Sequence, residues 1–270
     1  MNSSESFRAE AVENIHRLGR DQLLGKATID WINKSAVYKY TYHFSSLGRP
    51  IIQYPQDMIA MQELIWQIKP DLIIETGIAH GGSLMLSASM LTLLDICEAI
   101  EAGETLDPRV SRRKVLGIDI DIRAHNRAAI EAHPMASRIQ MIEGSSVAPE
   151  VIAQVRQVAE GYERVLVCLD SNHTHAHVLA ELEAYAPLVT EGSYCVVFDT
   201  IVEDMPKAMF PDRPWGPGNN PKTAVLEYLR LLDTEGRMGA DGTPLQFEID
   251  IAIQNKLLIT VAPDGYLRRV

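Results

Sequence analysis

Between residues 72 and 199 the chain alternates five times between a short apolar run and a more mixed stretch. The runs cover residues 72–74, 115–120, 139–142, 164–169 and 194–198, and polar or glycine-bearing turns follow them. Continuous apolar runs of this length fit strands buried on both faces. The segments between them, from 83 to about 100, 123–132, 148–160 and about 175–186, carry helical spacing. Strand and helix in regular alternation predict an α/β fold, a mostly parallel sheet with helices on both faces.

The flanks read differently. Residues 6–36 predict helices, with Leu18, Leu23, Leu24, Ile29 and Ile32 as a loose apolar stripe. Residues 37–56 are aromatic and broken by Gly and Pro, either an irregular loop or a short hairpin. Residues 57–68 predict a helix that Asp57 caps, with Met58, Met61, Leu64, Ile65 and Ile68 on one face and Pro70 after its end. Residues 203–221 hold five prolines and two glycines and predict a loop, followed by a helix over 222–234. Residues 247–253 and 257–261, joined by Gln254-Asn255-Lys256, predict an antiparallel hairpin that completes a seven-stranded sheet. The chain thus divides into an N-terminal extension, 1–56, and one catalytic-size domain, 57–270.

Composition narrows the function. The chain has 270 residues, 46% of them hydrophobic, and 36 acids against 25 Lys and Arg, a formal charge of −11. A nucleic-acid backbone calls for a basic stripe and an anionic membrane for a basic patch, so neither is an expected partner. Cys97, Cys168 and Cys195 are too few and scattered for a disulfide framework or a CxxC metal site. The polar N-terminus and the lack of about 20 uninterrupted apolar residues predict a cytoplasmic protein without a membrane span.

Ligands of an open α/β sheet bind outside the C-terminal ends of its strands, and the polar motifs fall there. Glu75-Thr76-Gly77 leads through His80 to Gly81-Gly82-Ser83: a glycine turn that admits a ligand to backbone N–H groups, or simply a tight strand-to-helix turn. Its spacing is not the dinucleotide GxGxxG. Asp119, followed by Ile120, ends the second strand where an acid accepts from ribose hydroxyls; Asp121 reads as a helix cap. Gly144-Ser145-Ser146 reads equally as an adenine wall or a helix cap. Asp170-Ser171-Asn172-His173-Thr174-His175-Ala176-His177 offers a carboxylate for a hard cation and an imidazole base three residues on. A three-histidine zinc site fits less well, because residues 175 and 177 of one helix point apart. Asp199 ends the fifth strand, and about 4.8 Å between neighbouring strands lets Asp170 and Asp199 share one cation. Glu203 and Asp204 are spare ligands or solvated charges. The loop Arg213–Pro221 reads as a lid or a subunit contact. Tyr38, Tyr40, Tyr42 and His43 with Trp215 make either an aromatic pocket or plain packing.

Taken together, ETGxxxGGS, GIDID, DSNHTHxH, VVFDT and RPWGPGNNP resemble the cephalosporin hydroxylase family, over roughly residues 36–235. That resemblance implies a Rossmann-like class I methyltransferase, similar to macrolide-sugar and rhamnosyl O-methyltransferases, using S-adenosylmethionine. It implies that Glu75, Thr76, Gly77, Gly81 and Ser83 hold the methionine end of the cofactor and that Asp119 and Ile120 flank the ribose. Gly144, Ser145 and Ser146 would lie at the adenine, and Asp170 beside the cofactor. Mg²⁺ would sit on Asp170 and Asp199 with Glu203 completing the shell, and His173 would be the base. Tyr40, His80, His175 and Trp215 would line the acceptor site. Metal-dependent sugar relatives carry Glu-Asp at the fifth strand end; here it is Phe198-Asp199, which removes one ligand. The expected reaction is Mg²⁺-assisted methylation of a hydroxyl on a small, sugar-containing natural product or glycan, by a homo-oligomer. Two alternatives stand beside it: a nicotinamide oxidoreductase, opposed by the missing GxGxxG, and a non-methylating partner protein that keeps the cofactor fold.

Overall fold

The structure, a computed structural model, describes residues 3–270. Helices α1 (Ser3–Arg20) and α2 (Gln22–Ala36) come first, then a hairpin of β1 (Phe44–Ser46) and β2 (Arg49–Ile51), then α3 (Pro55–Ile68). The hairpin option for residues 37–56 is the one realised. The main alternation is β3 (Leu72–Thr76), α4 (Gly82–Ala102), β4 (Lys114–Asp119), α5 (Ala124–Glu131), β5 (Ile139–Glu143), α6 (Pro149–Ala159), β6 (Val165–Leu169), α7 (His175–Tyr185) and β7 (Tyr194–Val197). The chain closes with α8 (Pro221–Glu235), β8 (Phe247–Ile249), α9 (Ile251–Leu257) and β9 (Tyr266–Arg269).

Seven strands form one sheet in the order β5-β4-β3-β6-β7-β9-β8. The first five are parallel, and β9 runs antiparallel to both its neighbours. The chain winds outward from β3 through β4 to β5, then crosses back to lay β6 on the other side of β3. That reversal opens a crevice at the C-terminal ends of β3 and β6, the usual ligand site of such a sheet.

Strand side chains alternate between two cores. Ile73, Val115, Leu166, Cys168 and Val196 pack with Met61, Leu64, Leu84 and Leu91 on one face. Ile74, Leu116, Val167, Cys195 and Val197 pack with Val155, Leu182, Val225 and Tyr228 on the other. Helix α4 is long and apolar enough to span a bilayer by length and composition. It serves instead as a core helix: Leu84, Met85, Ala88, Leu91 and Leu94 are buried, and Asp95 pairs with Arg113 and Arg138.

Two expectations are corrected. The C-terminal hairpin pairs residues 247–249 with 267–269, and α9 takes up the end of the stretch assigned to its first strand, the whole turn and the first residue of its second strand. Alternation in FEIDIAI suggested one long strand, but the Asp250 side chain accepts from the N–H groups of Ala252 and Ile253 and starts a helix there. Asp57 is not the cap of α3. That helix starts at Pro55 after Tyr54, and Pro pre-sets the backbone of a first turn. Asp57 lies buried within the first turn and accepts from Thr260 Oγ1, Val261 N–H at 3.0 Å and Tyr266 Oη at 2.8 Å.

Candidate active site

The turn after β3 is built around close backbone approach. Gly77 has φ +90°, and a Cβ there would stand 2.1 Å from the Asp170 carbonyl oxygen. Only glycine lets β3 and β6 end side by side. Ala79 also sits in the left-handed region, at φ +46°. Its carbonyl accepts from Asn126 Nδ2 at 2.9 Å, and Asn126 Oδ1 accepts from Arg49 Nη2 at 2.8 Å. Arg49 Nε also donates to the His80 carbonyl at 2.9 Å. The N-terminal hairpin therefore clamps the turn, and the boundary at residue 56 falls inside α3.

Asp119, at the end of β4, accepts through Oδ2 from Ile78 N–H at 2.9 Å and Ala79 N–H at 3.2 Å. Its Oδ1 accepts from Asp121 N–H at 3.1 Å. Ile120 beside it is 73% exposed. Ser145 is half-buried, while Ser146 is buried against His177, with 3.0 Å between Oγ and Nε2. Gly144, Ser145 and Ser146 follow β5, so the expected ribose and adenine positions follow the same strand-end edge outward from the glycine turn.

Asp170, His173 and Asp199 meet at the ends of β6 and β7: one ligand atom from each lies within 4.8 Å of the others. The His173 Nδ1 atom is 2.9 Å from Asp199 Oδ2. A carboxylate only accepts, so Nδ1 carries the proton and Nε2 is left as an acceptor. The Trp215 ring covers His173 at 4.8 Å between centroids, and Arg213 lies 5.1 Å over Trp215.

Burial pushes the Asp170 carboxyl well above its ordinary range, and the neighbouring charges of Asp199, Glu75, Glu181 and Asp57 push the same way. Burial raises Glu75 to about 7 against the opposing hydrogen bond from Ser83 Oγ. For His173 burial works against the charged ring, but the Asp199 carboxylate outweighs it and the net shift is upward. Acids gathered and desolvated in this way favour a cation among them.

The site shapes two adjoining cavities. One, of about 250 Å³, is lined by Gly77, His80, Ser83, Asp170, His173 and Asp199 among others. The other, of about 360 Å³, is lined by Tyr40, Tyr42, His173, Asp199, Phe210 and Trp215 among others. His173 and Asp199 belong to both, so they stand in the wall between the two spaces.

Several expected residues stand elsewhere. Glu203 is not in the cluster: its Oε2 accepts from Gly218 N–H at 2.7 Å and from Asn220 Nδ2, which ties the 213–221 loop down and occupies the carboxylate. Asp204 pairs with Lys222 at 2.6 Å. His175 faces the start of α8, with Nδ1 2.9 Å from Thr223 Oγ1, and is not among the residues lining either cavity. Tyr40 lines the second cavity from within an aromatic cluster of Trp31, Phe44 and Tyr54. Phe198 is buried in the core. It brings no oxygen to the end of β7.

Four residues were not singled out beforehand. Gln53 Nε2 donates to Asp170 Oδ2 at 3.2 Å. Arg49 and Asn126 form the clamp described above. Glu181, fully buried, accepts from Ser171 Oγ at 2.6 Å and lies 3.5 Å from His177. An isolated polar residue inside IIQYP and an acid on the apolar face of α7 were the signals available.

The donor set suits both expected ligands. A positively charged cofactor fits beside the desolvated Glu75, whose carboxyl has no cation paired with it among the described residues. The oxygen-rich pair Asp170 and Asp199, with one imidazole, suits a hard divalent ion.

Comparison with known proteins bears on the family and the fold. The family model "Rhamnosyl O-methyltransferase/CmcI" matches residues 38–270. A rhamnosyl O-methyltransferase of Mycobacterium leprae is 29% identical over 224 residues, 83% of this chain and 82% of that protein. One from Mycobacterium tuberculosis is 29% identical over 217 residues, 79% of this chain and 73% of that protein. A solved CmcI structure with Mg and SAM shares the fold at a TM-score of 0.53 and 18% identity, over 85% of this chain and 77% of that one. With 233 of its residues matched in one piece, the chain belongs to the rhamnosyl O-methyltransferase/CmcI family.

Proposed function

We propose that this chain transfers the methyl group of S-adenosylmethionine to a hydroxyl of a sugar-containing small molecule, with His173 as the base and a divalent cation on Asp170 and Asp199. The observation that carries the reading is the Asp170–His173–Asp199 cluster, in which Asp170 lines the first cavity while His173 and Asp199 stand in the wall it shares with the second. The first cavity carries the glycine turn and takes the cofactor. The second, aromatic and bordered by the 213–221 loop, takes the acceptor. The mycobacterial relatives, named for a rhamnosyl acceptor, support the sugar class.

When bound, S-adenosylmethionine supplies an electrophilic methyl on a sulfonium, and Mg²⁺ supplies charge that lowers the pKa of a chelated hydroxyl. The chain's own residues do the rest. His173 Nε2 would take the proton of the acceptor hydroxyl. Asp199 holds Nδ1–H, fixes the tautomer and stabilises the imidazolium that results. Trp215 covers His173 and fixes its ring plane. The 213–221 loop, pinned by Glu203, keeps water from the reacting oxygen. Glu75 and the turn at 77–83 hold the methyl donor in line for attack, the positioning that this reaction chiefly needs.

The test is product formation from S-adenosylmethionine with rhamnosides and other diol-bearing sugars, with Mg²⁺ and with EDTA. A monomethylated sugar that fades with EDTA and returns with Mg²⁺ is expected. Full turnover in EDTA overturns the metal assignment. Cofactor binding without methylation of any diol-bearing sugar overturns the acceptor assignment.

A further inference from the structure

Gln53 lies in the chain between β2 and α3, and only 7% of its surface is exposed. It lines the 250 Å³ cavity and also a smaller recess behind it that reaches Asp57, Glu75 and Cys168. Its amide is half used. Nε2 donates to Asp170 Oδ2, while Oε1 is buried and accepts from no described residue. The opposite orientation of the amide would set Oε1 against a carboxylate oxygen, so the hydrogen bond assigns the two ends. A buried carbonyl without a donor is a cost to the fold, and such an atom calls for an explanation.

Resting on the methyltransferase reading above, we infer that Gln53 recognises the amino-acid end of S-adenosylmethionine, its Oε1 accepting from the cofactor's ammonium group. The cofactor has three kinds of hydrogen-bond donor: ribose hydroxyls, the adenine amine and the ammonium. Asp119 and residues 144–146 lie at the ends of β4 and β5, on the far side of β3 from Asp170. Those positions take the ribose and the adenine. Gln53 reaches the β6 side of the crevice, so the ammonium is the donor left for it. The neighbouring charges agree. Glu75 and Asp170 are desolvated carboxylates with no Lys or Arg paired to them among the described residues, and a cationic nitrogen among them offsets both. The same amide then does two jobs: it holds Asp170 through Nε2 and reads the cofactor through Oε1. It also gives the N-terminal hairpin a part in cofactor recognition.

The experiment compares two ligands that differ at the amino-acid end, where the proposed contact lies. S-adenosylhomocysteine carries the amino-acid end; 5′-methylthioadenosine keeps the adenosine and a thioether but lacks it. Both are titrated calorimetrically into the wild-type chain, Gln53→Leu and Gln53→Asn. Leu fills the space with neither donor nor acceptor, and Asn draws the amide back by one carbon. A hydrogen bond to a charged group is worth roughly 10- to 100-fold in affinity. Gln53→Leu should weaken S-adenosylhomocysteine by that factor and leave 5′-methylthioadenosine within about two-fold. Gln53→Asn should show the same split, which keeps the test open if the Leu variant does not fold. Equal weakening of both ligands, or no weakening of either, overturns the assignment while the methyltransferase reading stands. A wild-type chain that binds neither ligand overturns both.

Discussion

Two aspartates near the crevice end of the sheet, Asp57 buried and Asp170 half-buried, are held in opposite ways. Asp57 accepts three hydrogen bonds, from Thr260, Val261 and Tyr266, and ties α3 to the segment before β9. Asp170 accepts one side-chain hydrogen bond, from Gln53, and is surrounded by the charges of Asp199, Glu75, Glu181 and Asp57. Both carboxyls are raised by burial, Asp57 to about 6 with its three donors opposing the shift, and Asp170 well above its ordinary range with its neighbours' charges adding to it. A carboxylate whose lone pairs are satisfied is a strut. One left among like charges keeps its affinity for a cation, and its cost to the fold marks a working site. The same substitution at the two positions should therefore act on different properties.

The largest effect is expected at Asp170→Ala, a loss of about 10³-fold in turnover, the size of removing one preorganised electrostatic group. Its stability without metal should stay within roughly 1 kcal/mol of wild type or rise, since a buried like charge is gone. A fall in Tm of the size expected for a strut would erase the contrast. His173→Ala comes next, with kcat lower by about 10²- to 10³-fold and S-adenosylhomocysteine binding within about three-fold. Unchanged turnover would remove His173 from the proton transfer. Asp57→Ala, by contrast, should spare turnover per folded molecule and cost on the order of 1–2 kcal/mol for each of the three orphaned donors, read as a lower denaturation midpoint.

The pH dependence of that last penalty sharpens the contrast. Asp57 has a folded pKa of about 6 against an ordinary 3.8. A raised acid contributes stability that is full below the unfolded pKa and is lost as pH rises through the folded one. The gap between wild type and Asp57→Ala should therefore shrink by about 2 kcal/mol from about pH 4.5 to about pH 7.5. Urea titrations of both proteins across that range measure it. A gap that widens with pH would mean Asp57 is held as the anion.

Much of this contrast could not be read along the chain. The parallel strands were legible because all but the edge strand β5 are buried on both faces, and the acids at their ends stood out as the first charges after each run. Thus the apolar run at 72–74 and the strand-end positions of Asp170 and Asp199 were read in advance, with His173 three residues after Asp170. Asp57 was taken for a helix cap because its real partners are about 200 residues away, outside any local pattern. Gln53 was passed over for the same reason: its partner Asp170 is 117 positions on. Glu203 looked like a ligand by proximity to Asp199, but Gly218 and Asn220 capture it from the opposite side. At residues 250–257, local chemistry did hold the answer. Asp250 is a good N-cap, and the alternation around it masked the helix it starts.

The smallest effect belongs to the clamp between these two regions. Arg49 donates to His80 and Asn126, and Asn126 in turn donates to Ala79, whose left-handed backbone must be held by its surroundings. The clamp touches neither Asp57 nor Asp170. It shapes the glycine turn that the proposed function assigns to the cofactor. Arg49→Met keeps the side-chain stem and removes the donors. Loss of one or two ordinary hydrogen bonds should weaken S-adenosylhomocysteine by roughly three- to ten-fold, with kcat at saturating cofactor within about two-fold. The expected split follows from where the clamp acts: a looser turn must be ordered on binding, and once the cofactor is bound that ordering has already been met. A fall in kcat at saturation with binding unchanged would instead place Arg49 with Asp170, among the groups that act on the reacting atoms.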